Sequence, residues 1–458
     1  PLQLPDMVYN ICMVSDFFYP NTGGVESHIF QLSQCLIERG HKVVVVTHSY
    51  NDRIGVRYMT NGLKVYYLPV KVFYNQCVLP TLYCSLVILR QIFIREKIEV
   101  VHGHSAFSTL AHEAMFHAAN MSLKNVFTDH SLFGFADMSA IVTNNFLQVS
   151  LADVNHCICV SFTGKENTVL RARVPAQNVS VIPNAVDSKL FSPCNSKNST
   201  PDINIVIISR LVYRKGIDLL AGIIPAICLD HPEVNFIIGG DGPKRIILEE
   251  VRERMGLQER IKLVGSLEHN EVRDILVEGH IFLNTSLTEA FCMAIVEAVS
   301  CGLLIVSTKV GGIPEVLPED MIIFAEPNVA DIIAALKSAI TKLTNNEILP
   351  KEEMHSRILN MYTWKDVARR TELVYDKIHK DKSRSLISRI HRYLEVGNWS
   401  GKALILLLFV ARFFLFILDV LQPKSCIDIC PSTEPLRQYQ KPRFRKDPQA
   451  DNHSLELT

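Results

Sequence analysis

The sequence carries no excess charge of either sign: 47 Lys+Arg balance 47 Asp+Glu, for a formal net charge of +0. Nucleic-acid binding needs a basic surplus or stripe, so that class of function is excluded as the natural reading. Its 12 cysteines include no C-x-x-C pair and show no regular spacing. Cys157 and Cys159 alternate on a strand-like stretch, and Cys292 and Cys301 share one helical region. Buried free thiols in a reducing compartment fit this pattern better than a disulfide framework. Asn-x-Ser/Thr triplets begin at Asn120, Asn178, Asn198, Asn284, Asn398 and Asn452, but Asn284 follows the apolar run 281–283, where a glycan would destroy a core. They read as chance. The chain begins at Pro1 rather than Met, which leaves room for upstream residues, a targeting segment among them.

What is present points to two domains. At 458 residues the chain exceeds one ordinary core, and a mean hydropathy of +0.16 hints at membrane contact. Apolar runs at 8–14, 42–47, 64–68, 99–102, 125–128 and 155–160 read as strands, with amphipathic helices between them. The β-branched run 42–47 has the pattern of a strand buried on both faces. A polar segment, 192–202, reads as a linker, after which strands recur at 203–209, 235–239, 261–264, 281–284, 303–308 and 321–324. The expected fold class is α/β. Two Rossmann-like doubly wound domains would span 7–190 (acceptor side) and 202–362 (donor nucleotide), followed by a return helix over 363–385. The ligand then belongs in the cleft between the carboxyl edges of the two sheets.

Residues 402–421 are almost unbroken apolar sequence, long enough at ~1.5 Å per residue to cross a bilayer core of about 30 Å. A buried hairpin or an interfacial helix is the alternative. Arg412, in its middle, should face a partner helix or reach toward headgroups. Lys377, Lys380, Lys382, Arg384, Arg389, Arg392 and Lys402 crowd its N-terminal flank. The positive-inside rule therefore predicts cytoplasmic domains and a polar tail, 422–458, on the other side; the tail's own cluster of Arg443, Arg445 and Lys446 opposes this.

Gly23-Gly24, between the first strand and the first helix, lets backbone approach a phosphate at a helix N-terminus. His130 stands at the carboxyl end of a parallel strand, beside Asp129 and Ser131, and can donate to a sugar hydroxyl or phosphate. His102 and His104 follow another strand. Arg210, Arg214 and Lys215 lie just past the first strand of the second half, where cations would stabilise a departing diphosphate. Gly240-x-Gly242-Pro243 caps the next strand. Glu289 and Glu297, if on one helix, would hold their Cα atoms ~12 Å apart, too far for a hydrolase pair and suited to gripping two parts of an extended ligand. The motif Gly311-Gly-Ile-Pro-Glu315 follows.

This set resembles the retaining glycosyltransferases of family four, with the two-Rossmann GT-B fold. The stretches 15–26, 128–137 and 210–218 narrow the resemblance to the catalytic subunits of phosphatidylinositol N-acetylglucosaminyltransferases, over about residues 10–380 and including the C-terminal anchor. It implies transfer of N-acetylglucosamine from UDP-GlcNAc to phosphatidylinositol, the first step of glycosylphosphatidylinositol (GPI) anchor synthesis, on the cytoplasmic face of the endoplasmic reticulum membrane. Other membrane subunits would accompany the chain. By the same resemblance Gly23, Gly24, Gly240 and Gly242 approach the donor, Arg210 and Lys215 bind its diphosphate, and Glu289 holds sugar hydroxyls. Glu297 holds the ribose, and His130 contacts the sugar near the reacting carbon. Attack would come from the leaving-group face, with a donor phosphate oxygen taking the acceptor proton. The absence of any Asp-x-Asp agrees with that family's metal-independent chemistry, so no cofactor or metal is expected. The alternatives are another GT-B lipid glycosyltransferase, such as a GDP-mannose-dependent phosphatidylinositol mannosyltransferase, and a non-catalytic scaffold subunit. On the acceptor side, 71–97 mixes Lys71, Arg90, Arg95 and Lys97 with apolar residues. It reads either as a membrane-resting segment that admits the lipid or as a buried crossover helix.

Overall fold

A computed structural model describes residues 7–21, 23–74, 76–81, 83–132, 138–194 and 202–431. Most of the expected linker (195–201) and of the expected tail (432–458), with Arg443, Arg445 and Lys446, lies outside the described residues, as do residues 133–137 of the stretch 128–137.

The first half contains β1 (Asn10–Val14), β2 (Lys42–His48), β3 (Gly55–Tyr58), β4 (Lys64–Leu68), β5 (Val72–Tyr74), β6 (Cys77–Val78), β7 (Val100–His104), β8 (Lys124–Asp129), β9 (His156–Cys159) and β10 (Val179–Val181). Its helices are α1 (Gly24–Glu38), α2 (Cys84–Arg95), α3 (Thr109–Asn120), α4 (Met138–Ser150) and α5 (Phe162–Ala172). The sheet order is β10-β9-β8-β7-β1-β2-β4-β3, parallel except for the edge strand β3, while β5 and β6 pair separately. The second half has β11 (Ile203–Ile208), β12 (Val234–Gly239), β13 (Ile261–Gly265), β14 (Ile281–Asn284), β15 (Leu304–Thr308) and β16 (Ile322–Ala325). With them run α6 (Ile217–Asp230), α7 (Arg245–Arg254), α8 (His269–Val277), α9 (Met293–Ser300), α10 (Val329–Thr344) and α11 (Lys351–Met361). The order β13-β12-β11-β14-β15-β16 is that of a dinucleotide-binding fold. In each sheet the winding direction reverses beside the first strand, at β1/β7 and at β11/β14, so loops diverge there and leave room for a ligand.

Val43, Val44, Val45 and Val46 are all buried, as expected of a strand covered by helices on both faces. Strand β3, by contrast, is exposed throughout and has no apolar run to betray it. All 12 cysteines are free thiols, and Asn284 is buried with its amide donating to Ser307 Oγ at 2.9 Å, so no glycan fits there.

Helix α12 (Trp364–Lys380) leaves the second half and packs on the first. Tyr9 Oη donates to Asp376 Oδ1 at 2.6 Å, and His41 Nε2 meets Glu372 Oε1 at 2.8 Å. One hydrophobic cluster consequently joins Tyr9 and Met13 to Val206, Phe282 and Tyr375.

Helices α13 (Leu386–Val396) and α14 (Asn398–Leu421) pack together against the first half. Gly401, Leu404, Leu408, Ala411 and Leu415, at helical spacing, form the buried face of α14. Leu406, Phe409, Phe413, Phe416 and Val420 are exposed on the rest of the helix. The helix is long and apolar enough to cross a membrane. Both of its ends nevertheless touch the first half. Leu404 and Leu408 contact Ala152 and Tyr393, and at the far end Arg90 Nη2 donates to Asp419 Oδ1 (2.5 Å) and to the Gln422 carbonyl (2.8 Å). Cys430 N–H then donates to the Arg95 carbonyl at 2.8 Å.

These contacts bear on two expectations. Leu86, Leu89, Arg90, Ile92 and Phe93 are buried, so α2 is a crossover helix, and Arg90 serves Asp419 rather than lipid. Arg384 and Arg389, counted in the basic flank, are ion-paired to Asp153, and residues 422–430 stay on the first half instead of leaving it.

Arg90 is 1% exposed and its carboxylate partner 47%. Replacing Asp419 with Ala leaves a buried guanidinium facing only a carbonyl, which should cost about 2 kcal/mol. A lower melting temperature of the detergent-solubilised chain, together with faster proteolysis after α14, is the expected outcome.

Candidate active site

The two switch points face each other across a cleft of about 460 Å³. From the first half it is lined by Gly23, Gly24, Ser27 and His28; from the second by Arg210, Gly240, Asp241 and Glu297. Trp364, the first residue of α12, closes one side and packs edge-on against His28. Glu315 braces the two halves, its carboxylate accepting from Thr163 N–H (2.8 Å) and Thr163 Oγ1 (2.6 Å) at the N-terminus of α5. A carboxylate is well placed there, against the helix dipole and its unpaired N–H groups.

Gly23 and Gly24 open α1 as expected, but they play different parts. A Cβ on Gly23 would meet Glu26 Oε2 at 2.5 Å, whereas at Gly24 nothing lies within 4 Å. Glu26 thus folds back over the helix N-terminus, the place expected for a phosphate. Burial raises its pKa, and Arg210 across the cleft partly offsets this. The stretch 15–26 ends on Glu26, but nothing in its spacing signals this role. Across the cleft Gly240 (φ +121°) and Gly242 (φ +154°) have backbone that other residues rarely adopt, and a Cβ on either would strike the Ser209 or Leu211 carbonyl. They press the loop after β12 onto the end of β11, which puts Gly240 on the cleft wall.

Arg210 is exposed in the cleft and makes no ion pair among the described residues. Lys215 is not a second unengaged cation. It forms an ion pair with Glu289, whose Oε1 also accepts from Ser286 Oγ at 3.0 Å. Burial alone would lower the Lys215 pKa, but the Glu289 carboxylate outweighs it and the net shift is upward. The glutamates also differ from the one-helix picture: Glu289 sits in the loop before α9, and Glu297 lies on α9 itself. Glu297 is 9% exposed, and burial raises its pKa to about 7.

His130 belongs to a stack of imidazoles that the sequence did not announce. Its ring lies 4.7 Å from that of His28 and 5.7 Å from that of His104, and His104 stacks on His102 at 4.2 Å. His28 Nδ1 meets Asn184 Oδ1 at 2.8 Å, and His102 bridges the Tyr375 hydroxyl (2.7 Å) and Thr128 Oγ1 (2.6 Å). Burial, then mutual repulsion, holds the pKa of His104 and His130 well below the ordinary value; burial takes His28 to about 4 and His102 to about 3. All four rings are therefore neutral near pH 7, and His130 can give a hydrogen bond without adding charge. The ligand nitrogens of His28, His104 and His130 fall within 4.8 Å of one another, a cluster that could hold a cation. Asp129 turns inward and accepts from Ser131 N–H (3.0 Å) and Thr168 Oγ1 (3.3 Å), so its part is to shape the turn that carries His130.

With burial pushing the Glu297 carboxyl up to about 7, its ionised fraction should fall roughly tenfold between pH 8 and pH 6. If the carboxylate accepts from ligand hydroxyls, donor KM should rise by about that factor over this range. Glu297→Gln should flatten the profile, and a steep profile in the variant would exclude this residue.

A family model described as PIGA (GPI anchor biosynthesis) matches residues 48–137, and one described as glycosyl transferases group 1 matches residues 202–344. The chain is 58% identical over 422 residues to a phosphatidylinositol N-acetylglucosaminyltransferase subunit of Homo sapiens, spanning 92% of this chain and 87% of the relative. Identity to the Arabidopsis thaliana protein of the same name is 55%, spanning 92% and 94%. Among solved structures, a sucrose-phosphate synthase from Thermosynechococcus elongatus superposes with a TM-score of 0.66 at 16% identity, covering 81% of this chain and 99% of that one. A glycosyltransferase from Rickettsia africae gives 0.66 at 18%, covering 82% and 100%. These last two likenesses are of fold. With that fold, that cleft and those relatives, the chain is a GT-B glycosyltransferase and belongs to the PIGA family of phosphatidylinositol N-acetylglucosaminyltransferase subunits.

Proposed function

We propose that this enzyme transfers N-acetylglucosamine from UDP-GlcNAc to phosphatidylinositol with retention of configuration, as one component of a multi-subunit complex on the cytoplasmic face of the endoplasmic reticulum. The observation that carries the reading is the inter-domain cleft with Arg210 on its wall and the Lys215–Glu289 pair beside β11, in a chain whose relatives are named for this reaction and as subunits. The nucleotide lies along the second half, its ribose hydroxyls on Glu297 and its diphosphate between Arg210, Lys215 and the α1 N-terminus at Gly24. Glu289 turns to the sugar hydroxyls while its pairing keeps the Lys215 ammonium charged at the diphosphate. As the anomeric C–O bond breaks, negative charge grows on the departing UDP, and the two cations stabilise it. The inositol hydroxyl attacks from the same face and its proton passes to a donor phosphate oxygen. Neutral His130 steadies the sugar without repelling the positive charge that develops at the reacting carbon. These residues supply the charge themselves, so the proposed reaction uses no metal and no cofactor.

Membranes carrying the complex, given labelled UDP-GlcNAc, should yield labelled N-acetylglucosaminyl-phosphatidylinositol. Label entering lipid from GDP-mannose instead would overturn the donor assignment. In the same assay Arg210→Ala should lower kcat by about 10²–10³-fold. Glu289→Ala should abolish transfer while the complex still assembles, and retained turnover would favour a scaffold.

A further inference from the structure

Away from the cleft, two dissimilar cavities meet at Asp153 beneath α14. One, of about 50 Å³, gathers Lys124, Arg384, Arg389 and Arg412 around that single carboxylate. The other, of about 200 Å³, is walled mainly by apolar side chains, Phe116, Phe146, Val149, Leu404 and Leu407 among them, and shares Asp153 and the α13–α14 wall with the first. Arg384 and Arg389 both spend charge on Asp153. Lys124 gives its ammonium to the backbone carbonyl of Asp381 at 2.6 Å, whose carboxylate lies nearby, and burial and then Arg384 oppose its charged form. Arg412 makes no ion pair among the described residues. These four cations from three segments, β8, the start of α13 and the exposed Arg412 of α14, share a single carboxylate in the pocket, so an anion joining them there would be stabilised.

We propose that the joined cavities hold one anionic phospholipid, with its phosphate between Lys124, Arg384 and Arg412 and an acyl chain in the slot under Leu404 and Leu407. Cationic head and apolar slot adjoin in the order such a lipid requires, and the exposed apolar side chains of α14 supply the bilayer-facing surface from which it enters. The site also explains the arginine inside an apolar helix: Arg412 turns toward the domain and a lipid phosphate rather than into hydrocarbon. It is not the acceptor site. Lys124 begins β8 and His130 follows its end, so the six residues of the strand, about 20 Å, separate the cationic pocket from the catalytic edge. The lipid is a resident one that fastens α13 and α14 to the first half, and it is independent of which lipid is glycosylated.

The test uses the full-length chain in neutral detergent, titrated with dioleoyl-phosphatidylglycerol, dioleoyl-phosphatidylcholine or inorganic phosphate, with bound lipid counted by native mass spectrometry. Wild type should bind the anionic lipid at least tenfold more tightly than the zwitterionic one. Arg412→Glu and Lys124→Glu should each remove that preference, and Arg254→Glu, exposed on the second half, should leave it intact. Leu407→Trp, which fills the apolar slot, should weaken lipid binding tenfold with Arg412 in place. Melting of each variant without lipid shows that it folds, and Arg412→Gln stands in if Arg412→Glu does not. Equal affinity for the two lipids, an unaltered preference in the charge variants, or unaltered binding in Leu407→Trp would each overturn the proposal. Displacement of the lipid by millimolar phosphate would overturn it too, since the pocket would then be a free-anion site.

Discussion

Breaking a glycosidic bond to a diphosphate concentrates negative charge in a small volume, and water must be kept from it. The whole architecture can be traced to that constraint. Parallel strands bring their carboxyl ends to one edge, and two such edges placed face to face make a cleft whose walls are loops and helix N-termini. Arg210 lies on one wall, and Lys215 stands beside β11 with its charge held by Glu289. Opposite, Glu26 covers the start of α1. Carboxylates thus stand beside Lys215 and over the α1 N-terminus, while Arg210 makes no ion pair among the described residues. The Glu289 carboxylate keeps Lys215 from being buried as an unpaired ion.

Keeping the walls in register requires that the halves not drift. Three devices serve this end, each made of ordinary forces. A continuous apolar cluster runs through both halves, Glu315 of the second half caps a helix of the first, and α12 crosses back to bury Tyr375 against His102. The last also reaches His130, because His102 stacks on His104 and His104 touches His130. Packing on α12 therefore helps to set the position of His130, and burial holds its ring neutral. The apolar helix α14 is joined to the same body, buried on one side and exposing apolar side chains on the other, and Arg90–Asp419 ties its far end to the first half.

Much of this was legible in the order of residues. Short apolar runs alternating with amphipathic stretches determine a parallel doubly wound sheet, because only crossover helices connect such strands and only burial on both faces favours runs like 42–47. The motifs at Gly23-Gly24, Arg210 and Gly240 were locatable for the same reason: in this fold, residues just past a strand end must lie at the cleft. What composition and spacing could not reveal were relations between distant segments. That Lys215 is engaged by Glu289, that Glu26 turns back on its own helix, that three histidines stack with a fourth edge-on, and that Arg90, Arg384 and Arg389 are bound to carboxylates remote in sequence all depend on which side chains the tertiary fold makes neighbours. Strand β3 escaped notice because an exposed edge needs no apolar pattern. Sequence periodicity records which face of an element is buried, and so it determined the two sheets and the edge where chemistry belongs. Charge pairing and protonation arise from distances of a few ångströms between residues hundreds apart, and only the folded chain decided those.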